Sequence, residues 1–189
     1  MRKIFWTAAA AAVFVAVPAM AQDGDAVESS GNTRAIQPYV GILGGYERFD
    51  NEATHSGIPM PASGSYKGGL VEGVVGVNVP VGPLFVGAEG SVAKGFTGDI
   101  DWEYGAAGRF GVRSGDSGLF YGKVGYRWVN FDALGKNSGD YGEMVYGVGT
   151  EFAPAAMSGG KSNVRVRLEV DTYGNAHSFR PMAGLIAAF

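Results

Sequence analysis

The sequence predicts an all-β fold, eight long antiparallel strands closed up-and-down into a barrel. Three observations carry that prediction. Residues of opposite character alternate with period two along most of the chain, and Gly-, Pro- and Ser-rich breaks punctuate the alternation. The apolar residues, 46% of the 189, are weighted toward Ala and Val rather than the Leu-rich runs of a helical protein. The stretch 163–172, NVRVRLEVDT, shows the alternation most plainly. Val164, Val166, Leu168 and Val170 share one parity; Arg165, Arg167, Glu169 and Asp171 share the other. Successive side chains on a strand point to opposite faces, so this strand has one apolar and one charged face.

Composition narrows the function classes. There is no cysteine, which excludes a disulfide framework and a thiolate metal site. Fifteen basic against eighteen acidic residues give a formal charge of −3, with no basic footprint for nucleic acid. At the N-terminus, Arg2 and Lys3 precede an apolar run over 8–17 and the small-residue pattern Ala19-Met20-Ala21. The run is too short to span a bilayer, which needs about 20 apolar residues. Residues 1–21 therefore read as a cleaved signal peptide, and the protein as exported. Residues 22–36 are polar without apolar period, a flexible periplasmic lead-in. The barrel domain is expected over 37–189.

Taken in order, the first strand is Gln37–Phe49, followed by a loop at 50–65. The second, 66–79, sets Val71, Val75, Val77 and Val79 against Glu72 and Asn78, and Pro80-Val81-Gly82-Pro83 forces a tight turn. The third, 84–94, opposes Val86, Ala88 and Val92 to Glu89, with a loop expected at 95–102. The fourth, 103–113, opposes Tyr104, Ala106, Phe110 and Val112 to Glu103, Arg109 and Arg113, and ends in the turn 114–118. In the fifth, 119–131, Phe120, Val124, Tyr126 and Trp128 face away from Lys123 and Arg127. After a polar loop at 132–140, the sixth strand, Tyr141–Phe152, turns Met144, Tyr146, Val148 and Phe152 from Glu143 and Glu151. A connection at 153–162 leads to the seventh, the stretch above. Residues 173–178 turn into the last strand, 179–189, where Phe179, Ala183, Leu185, Ala187 and Phe189 share a parity.

These strands exceed the usual globular length of about 5–6 residues. They match the roughly 9–11 residues that a tilted strand needs to cross a hydrocarbon core. The charged parity carries Arg109, Arg113, Lys123, Arg127, Arg165, Arg167 and Arg180 against Glu72, Glu89, Glu103, Glu143, Glu151, Glu169 and Asp171. All but Glu103 and Arg180 are assigned to an interior charge network. Seven cations meeting seven carboxylates fit a narrow interior, where an unpaired charge costs several kcal/mol, about 3–5 when one partner of a buried pair is removed. Aromatics gather near strand ends, with Tyr39, Phe85, Phe120 and Phe189 on one side. Phe49, Trp102, Tyr104, Trp128, Phe131, Tyr141 and Phe179 lie on the other, as two interfacial girdles would require.

The signal ending Ala19-Met20-Ala21, the opening Pro38-Tyr39-Val40-Gly41 and the closing segment from Arg180 to Phe189 resemble a known family. It is that of small eight-stranded outer-membrane barrels, shared by OmpA-type transmembrane domains and opacity-type, porin-like surface antigens. The resemblance covers 37–189 and implies a transmembrane β-barrel in the outer membrane of a Gram-negative envelope. It implies that Leu185, Ala187 and Phe189 form a C-terminal signal for the barrel-assembly machinery. It further implies contact with outer-membrane lipid and lipopolysaccharide, and a monomer. No peptidoglycan-binding segment follows Phe189, so the tethering role of full-length OmpA proteins is not expected.

Catalytic patterns fare worse. The phosphate-loop-like Gly160-Lys161-Ser162 precedes a strand, whereas phosphate binding needs a helix N-terminus there. Ser91 and Lys94 lie three apart on a strand and diverge. The two histidines, His55 and His177, fall in expected loops. His177-Ser178 invites comparison with lipid A deacylase barrels but lacks their His-x-Ser-Asn spacing. No metal-ligand spacing is present, and no cofactor, metal or catalytic residue is expected.

The expected function is a structural or surface-exposed outer-membrane barrel with a charge-plugged interior. The alternatives are a narrow, porin-like channel for small solutes and a soluble periplasmic β-barrel holding an apolar ligand. Both termini and the turns at 80–83, 114–118 and 153–162 are expected in the periplasm, with the remaining loops outside.

Overall fold

The computed structural model describes residues 36–50, 57–59, 65–114, 118–135, 138–153 and 163–189. The expected signal peptide, the lead-in up to residue 35, His55 and the phosphate-loop-like segment lie outside these residues. Eight strands follow one another: β1 Gln37–Phe49, β2 Lys67–Val81, β3 Leu84–Gly98, β4 Ile100–Ser114, β5 Gly118–Phe131, β6 Tyr141–Phe152, β7 Val164–Tyr173 and β8 Ser178–Ala188. Each pairs antiparallel with its sequence neighbour, and β8 closes on β1. Closure leaves no edge strand, so the ladder satisfies the backbone polar groups without water.

At one end the chain turns tightly between β2 and β3. Gly82 takes φ 63° and is followed by Pro83, whose ring holds φ negative. A positive φ at the first central position is the type II′ pattern, which matches the twist of paired strands. The barrel's first and last residues lie at this turn end. The connections β1–β2, β3–β4, β5–β6 and β7–β8 lie at the opposite, loop end.

The loop expected at 95–102 is a correction. β3 continues to Gly98 and β4 begins at Ile100, leaving Asp99 as the sole connector. Gly98 makes this possible with φ 85° and with a Cα position where a side chain would meet the carbonyl of Lys67. Asp99 locks the hairpin onto β2: its N–H donates to the Lys67 carbonyl, and its carboxylate accepts the Lys67 N–H at 3.2 Å. The period-two pattern breaks here because Asp101 is an extra residue in the β4–β5 ladder, a bulge that switches parity. Ile100 consequently points inward and Trp102 outward.

Across the strands the parity separates two environments. Val75 is 61% exposed and its neighbour Val74 5%. Ile42, Val86, Val92, Phe110, Val148 and Leu185 are exposed on the outer wall, and Phe189 continues that parity. Glu72, Glu89, Arg109, Lys123, Arg167 and Asp171 are buried within. Burial is therefore inverted relative to a soluble domain, with apolar groups outside and charge inside.

Replacing Val148 by Arg places a charge on this apolar wall. It is expected to lower unfolding stability in lipid vesicles by about 2–4 kcal/mol, as for an arginine near the bilayer midplane. Urea titration of the refolded protein reads the loss; unchanged stability would show that the wall faces water.

Candidate functional site

The interior is the part of the fold where unusual chemistry is concentrated. Six cations, Arg109, Lys123, Arg127, Arg165, Arg167 and Arg180, are buried there with seven carboxylates, Glu47, Glu72, Glu89, Glu103, Glu151, Glu169 and Asp171. Strand parity delivers them. β7 alone contributes Arg165, Arg167, Glu169 and Asp171, and β5, one strand removed from it beyond β6, adds Lys123 and Arg127.

Toward the turn end, two arginines share two glutamates. Glu151 Oε1 lies 2.7 Å from Arg109 Nη2 and 2.8 Å from Arg167 Nη2. Arg167 Nη1 reaches Glu89 Oε2 at 2.5 Å, and Arg165 Nε approaches the second oxygen of Glu151 at 3.2 Å. Tyr39 joins the pairs: its hydroxyl accepts from Arg109 at 2.6 Å and donates to Glu89 at 2.8 Å. The Arg109 guanidinium also stacks 3.9 Å from the Tyr121 ring centre, a cation–π contact strengthened by exclusion of water.

Toward the loop end, Arg180 is the hub. Its Nη2 lies 2.6 Å from Glu72 and 3.2 Å from Glu103, its Nη1 3.3 Å from Asp171, and its Nε 3.4 Å from Glu47. Arg127 adds a 2.6 Å contact to Asp171. Lys123 bridges the two groups, pairing with Glu169 and lying 2.8 Å from Asp171 and 3.8 Å from Glu89. The ion pairs thus run without a break from Arg165 to Glu47.

Apolar packing flanks the charged layer toward both ends. At the loop end Phe49, Ile58, Tyr66, Leu70, Ile100, Val129, Phe131 and Tyr173 form one buried cluster. Tyr66 stacks on Phe131 at 4.4 Å, and Phe49 meets Phe131 edge-on at 5.3 Å. Phe85, Leu119 and Tyr121 pack toward the turn end, and Tyr39, Leu43, Val74, Met182 and Ile186 cover the β8–β1–β2 wall. Two glycines make the arrangement possible. A Cβ at Gly76 would strike the Tyr39 ring, and one at Gly147 the Asp171 carboxylate.

The structure places ten of the twelve assigned charged residues in this network. Arg113 and Glu143 are only half-buried. Arg113 sits at the turn-end mouth without an ion pair among the described residues, and a Glu143 oxygen accepts the Met144 N–H at 3.0 Å. Glu103 and Arg180 belong inside it, as does Glu47, which the sequence pattern missed. Glu47 is the only charge on the inward face of β1, among Tyr39, Leu43 and Phe49, so no charged periodicity marks it. The aromatic girdles also need correction. Trp102, Tyr104, Phe120, Trp128, Phe179 and Phe189 are exposed on the outer wall, but Tyr39, Phe49, Phe85 and Phe131 point inward. Tyr141 is half-buried against the loop-end cluster.

His177 and Ser178 meet different partners. His177 Nδ1 lies 3.2 Å from Asp50, while the Ser178 hydroxyl donates to Glu47 at 2.6 Å and accepts the Tyr173 N–H at 3.0 Å.

Strands of 10–15 residues, a closed ladder, an apolar outer wall and a charged interior occur together in one solution of the folding problem. The chain is a transmembrane β-barrel. No family model and no curated relative matches its sequence. Among solved structures it is similar to Ail, the attachment invasion locus protein of Yersinia pestis. That match has 16% identity and a TM-score of 0.49, covering 81% of this chain and 98% of that one. It is similar to Neisserial surface protein A with 15% identity and a TM-score of 0.48, covering 80% and 97%. A de novo designed transmembrane β-barrel matches with 10% identity and a TM-score of 0.48, covering 84% and 98%.

Arg167→Leu would take from Glu89 and Glu151 the arginine they share, leaving them to Arg109, Arg165, Lys123 and Tyr39. It is expected to cost about 3 kcal/mol of unfolding free energy, the low end of the range for breaking a buried pair. Arg113→Leu, which breaks no described ion pair, should stay within about 0.5 kcal/mol of the parent. Parallel urea titrations in vesicles separate the two, and equal losses would contradict the network.

Proposed function

We propose that this protein is a structural, surface-exposed barrel of the Gram-negative outer membrane, with a charge-plugged interior and no catalysis. The observation that carries the reading is the unbroken ion-pair chain from Arg165 to Glu47 beneath the aromatic cluster at the loop end. An eight-stranded barrel has an interior just wide enough for side chains to fill. Here that space is occupied by guanidinium and carboxylate groups that hold one another. A hydrated ion entering it would have to separate pairs whose members have little access to water.

In this reading the N-terminal segment directs export and both barrel termini lie in the periplasm. The assembly machinery recognises Leu185, Ala187 and Phe189. The monomer contacts lipopolysaccharide and lipid through its outer wall and presents its loop end to the outside. A non-catalytic role is supported by the commitment of the Ser178 hydroxyl to Glu47 and to the Tyr173 N–H.

Two measurements test the proposal. The protein should resist carbonate extraction from membranes and migrate differently on gels when unboiled; release by carbonate would favour a soluble barrel. In planar bilayers it is expected to give no stable conductance of porin size. Sustained channel openings would replace the plugged barrel with a narrow solute channel.

A further inference from the structure

On the outer wall, at the loop end, Arg48 of β1 stands directly opposite Lys67 of β2. Both residues are exposed. Opposed residues of an antiparallel pair point to the same face with Cβ atoms about 4.5–5.5 Å apart, and like charges so placed destabilise a sheet. Neither side chain has an ion-pair partner among the described residues. Of the acids near this end, Asp99 accepts the Lys67 backbone N–H and Asp50 lies 3.2 Å from His177, and neither is within ion-pair distance of the Arg48 or Lys67 side chain. Lys94, on the same wall, shows the contrary arrangement, with Asp101 as its counter-ion and its ammonium 4.6 Å over the Trp102 ring. Among the described residues, the Arg48–Lys67 pair is thus a concentration of positive charge without an ion-pair partner.

Its level on the wall identifies what compensates it. Tyr46 is the next outward residue below Arg48, Phe179 is its partner in register on β8, and Phe96 covers Gly69 beside Lys67. All three rings are exposed. Aromatic rings of this kind mark the membrane–water boundary, so the two cations sit just outside it, at headgroup depth. Below them Gly44 and Ala183 pair in register and floor a shallow apolar groove walled by Val148 and Leu168.

We propose that Arg48 and Lys67 bind the phosphomonoester headgroup of an outer-leaflet lipid, with an acyl chain lying along the Gly44–Ala183 groove. A phosphomonoester carries about −1.5 to −2 charges at neutral pH, with three acceptor oxygens, and so can neutralise both cations at once. A phosphodiester carries a single charge and leaves one cation uncompensated. The proposal rests on the membrane-spanning reading and adds a specific lipid site to it.

The test refolds the wild type, Arg48→Gln/Lys67→Gln and Lys67→Glu into phosphatidylcholine vesicles. The vesicles are pure, or contain phosphatidic acid as the phosphomonoester, or phosphatidylglycerol as the diester at equal mole fraction. Thermal loss of the heat-modifiable gel band reports stability. Phosphatidic acid should raise the wild-type midpoint above both other compositions, and the double variant should show no difference among the three. Lys67→Glu, which converts the like-charge pair into an opposite-charge pair, should be the more stable in phosphatidylcholine and insensitive to phosphatidic acid. Titrating phosphatidic acid, each single Gln variant should need about tenfold more lipid for half its effect, the equivalent of one charge-assisted hydrogen bond. An equal response of wild type and double variant, or equal effects of the two anionic lipids, would overturn the site. Failure to insert in every composition would overturn the membrane reading itself and the site with it.

Discussion

The constraint on which the structure depends is mutual neutralisation of charge in a narrow, water-poor interior. Thirteen buried ionisable side chains would each cost several kcal/mol if left charged and alone. They are tolerated because every one of the buried cations except Arg165, which meets Glu151 alone, is shared between carboxylates. Arg180 lies between Glu47, Glu72, Glu103 and Asp171, and Lys123 ties that group to the Arg109–Arg167 group. Such sharing fixes the relative position of strands far apart in sequence. Arg167 of β7 meets Glu89 of β3 across the barrel, and Arg180 of β8 meets Glu72 of β2. The network therefore specifies register and closure as much as it contributes stability.

The outer wall follows from the same choice. With the polar groups turned inward, the remaining parity is Val, Ile, Leu, Ala and aromatic, and in lipid it gains nothing by collapsing on itself. Cohesion comes from the closed hydrogen-bond ladder and from packing inside, where the aromatic cluster at the loop end lies over the charged layer. Glycine at Gly76 and Gly147 lets Tyr39 and Asp171 fold back against the wall, so large polar side chains fit in a barrel of this width. Arg48 and Lys67 at the rim are the exception: they lie outside the network, and the lipid site proposed for them supplies their counter-charge from the membrane.

Much of this architecture is legible in the alternation itself. β7 reads directly as one apolar and one charged face, and the same parity places Glu72, Glu89, Arg109, Lys123, Arg127 and Glu151 within. What periodicity hides is a matter of geometry between strands. Glu47 stands alone on an otherwise apolar inward face. Asp101 shifts the parity of β4 by one residue, so the hairpin through Asp99 looks like a longer loop. Tyr39, Phe49, Phe85 and Phe131 share parity with the interior, yet aromatics near strand ends also suit a lipid interface, and their position along the strand does not distinguish the two. Arg113 and Glu143 have inward parity but lie at the mouths, where the charged cluster no longer reaches them.

The central claim is that neighbouring residues on one strand face lipid and a sealed interior, and Val74 and Val75 test it most directly. The natural sequence has no cysteine, so Val74→Cys and Val75→Cys each carry a single thiol. In bilayers, a fluorophore on Cys at 75 should be quenched by a lipid-borne quencher, and that thiol should resist aqueous reagents. The thiol at 74 should be inaccessible to both lipid-borne and aqueous probes until the protein unfolds. Rapid aqueous labelling at 74 in the folded protein would mean an open lumen, and rapid aqueous labelling at 75 would mean that the apolar wall does not face a membrane.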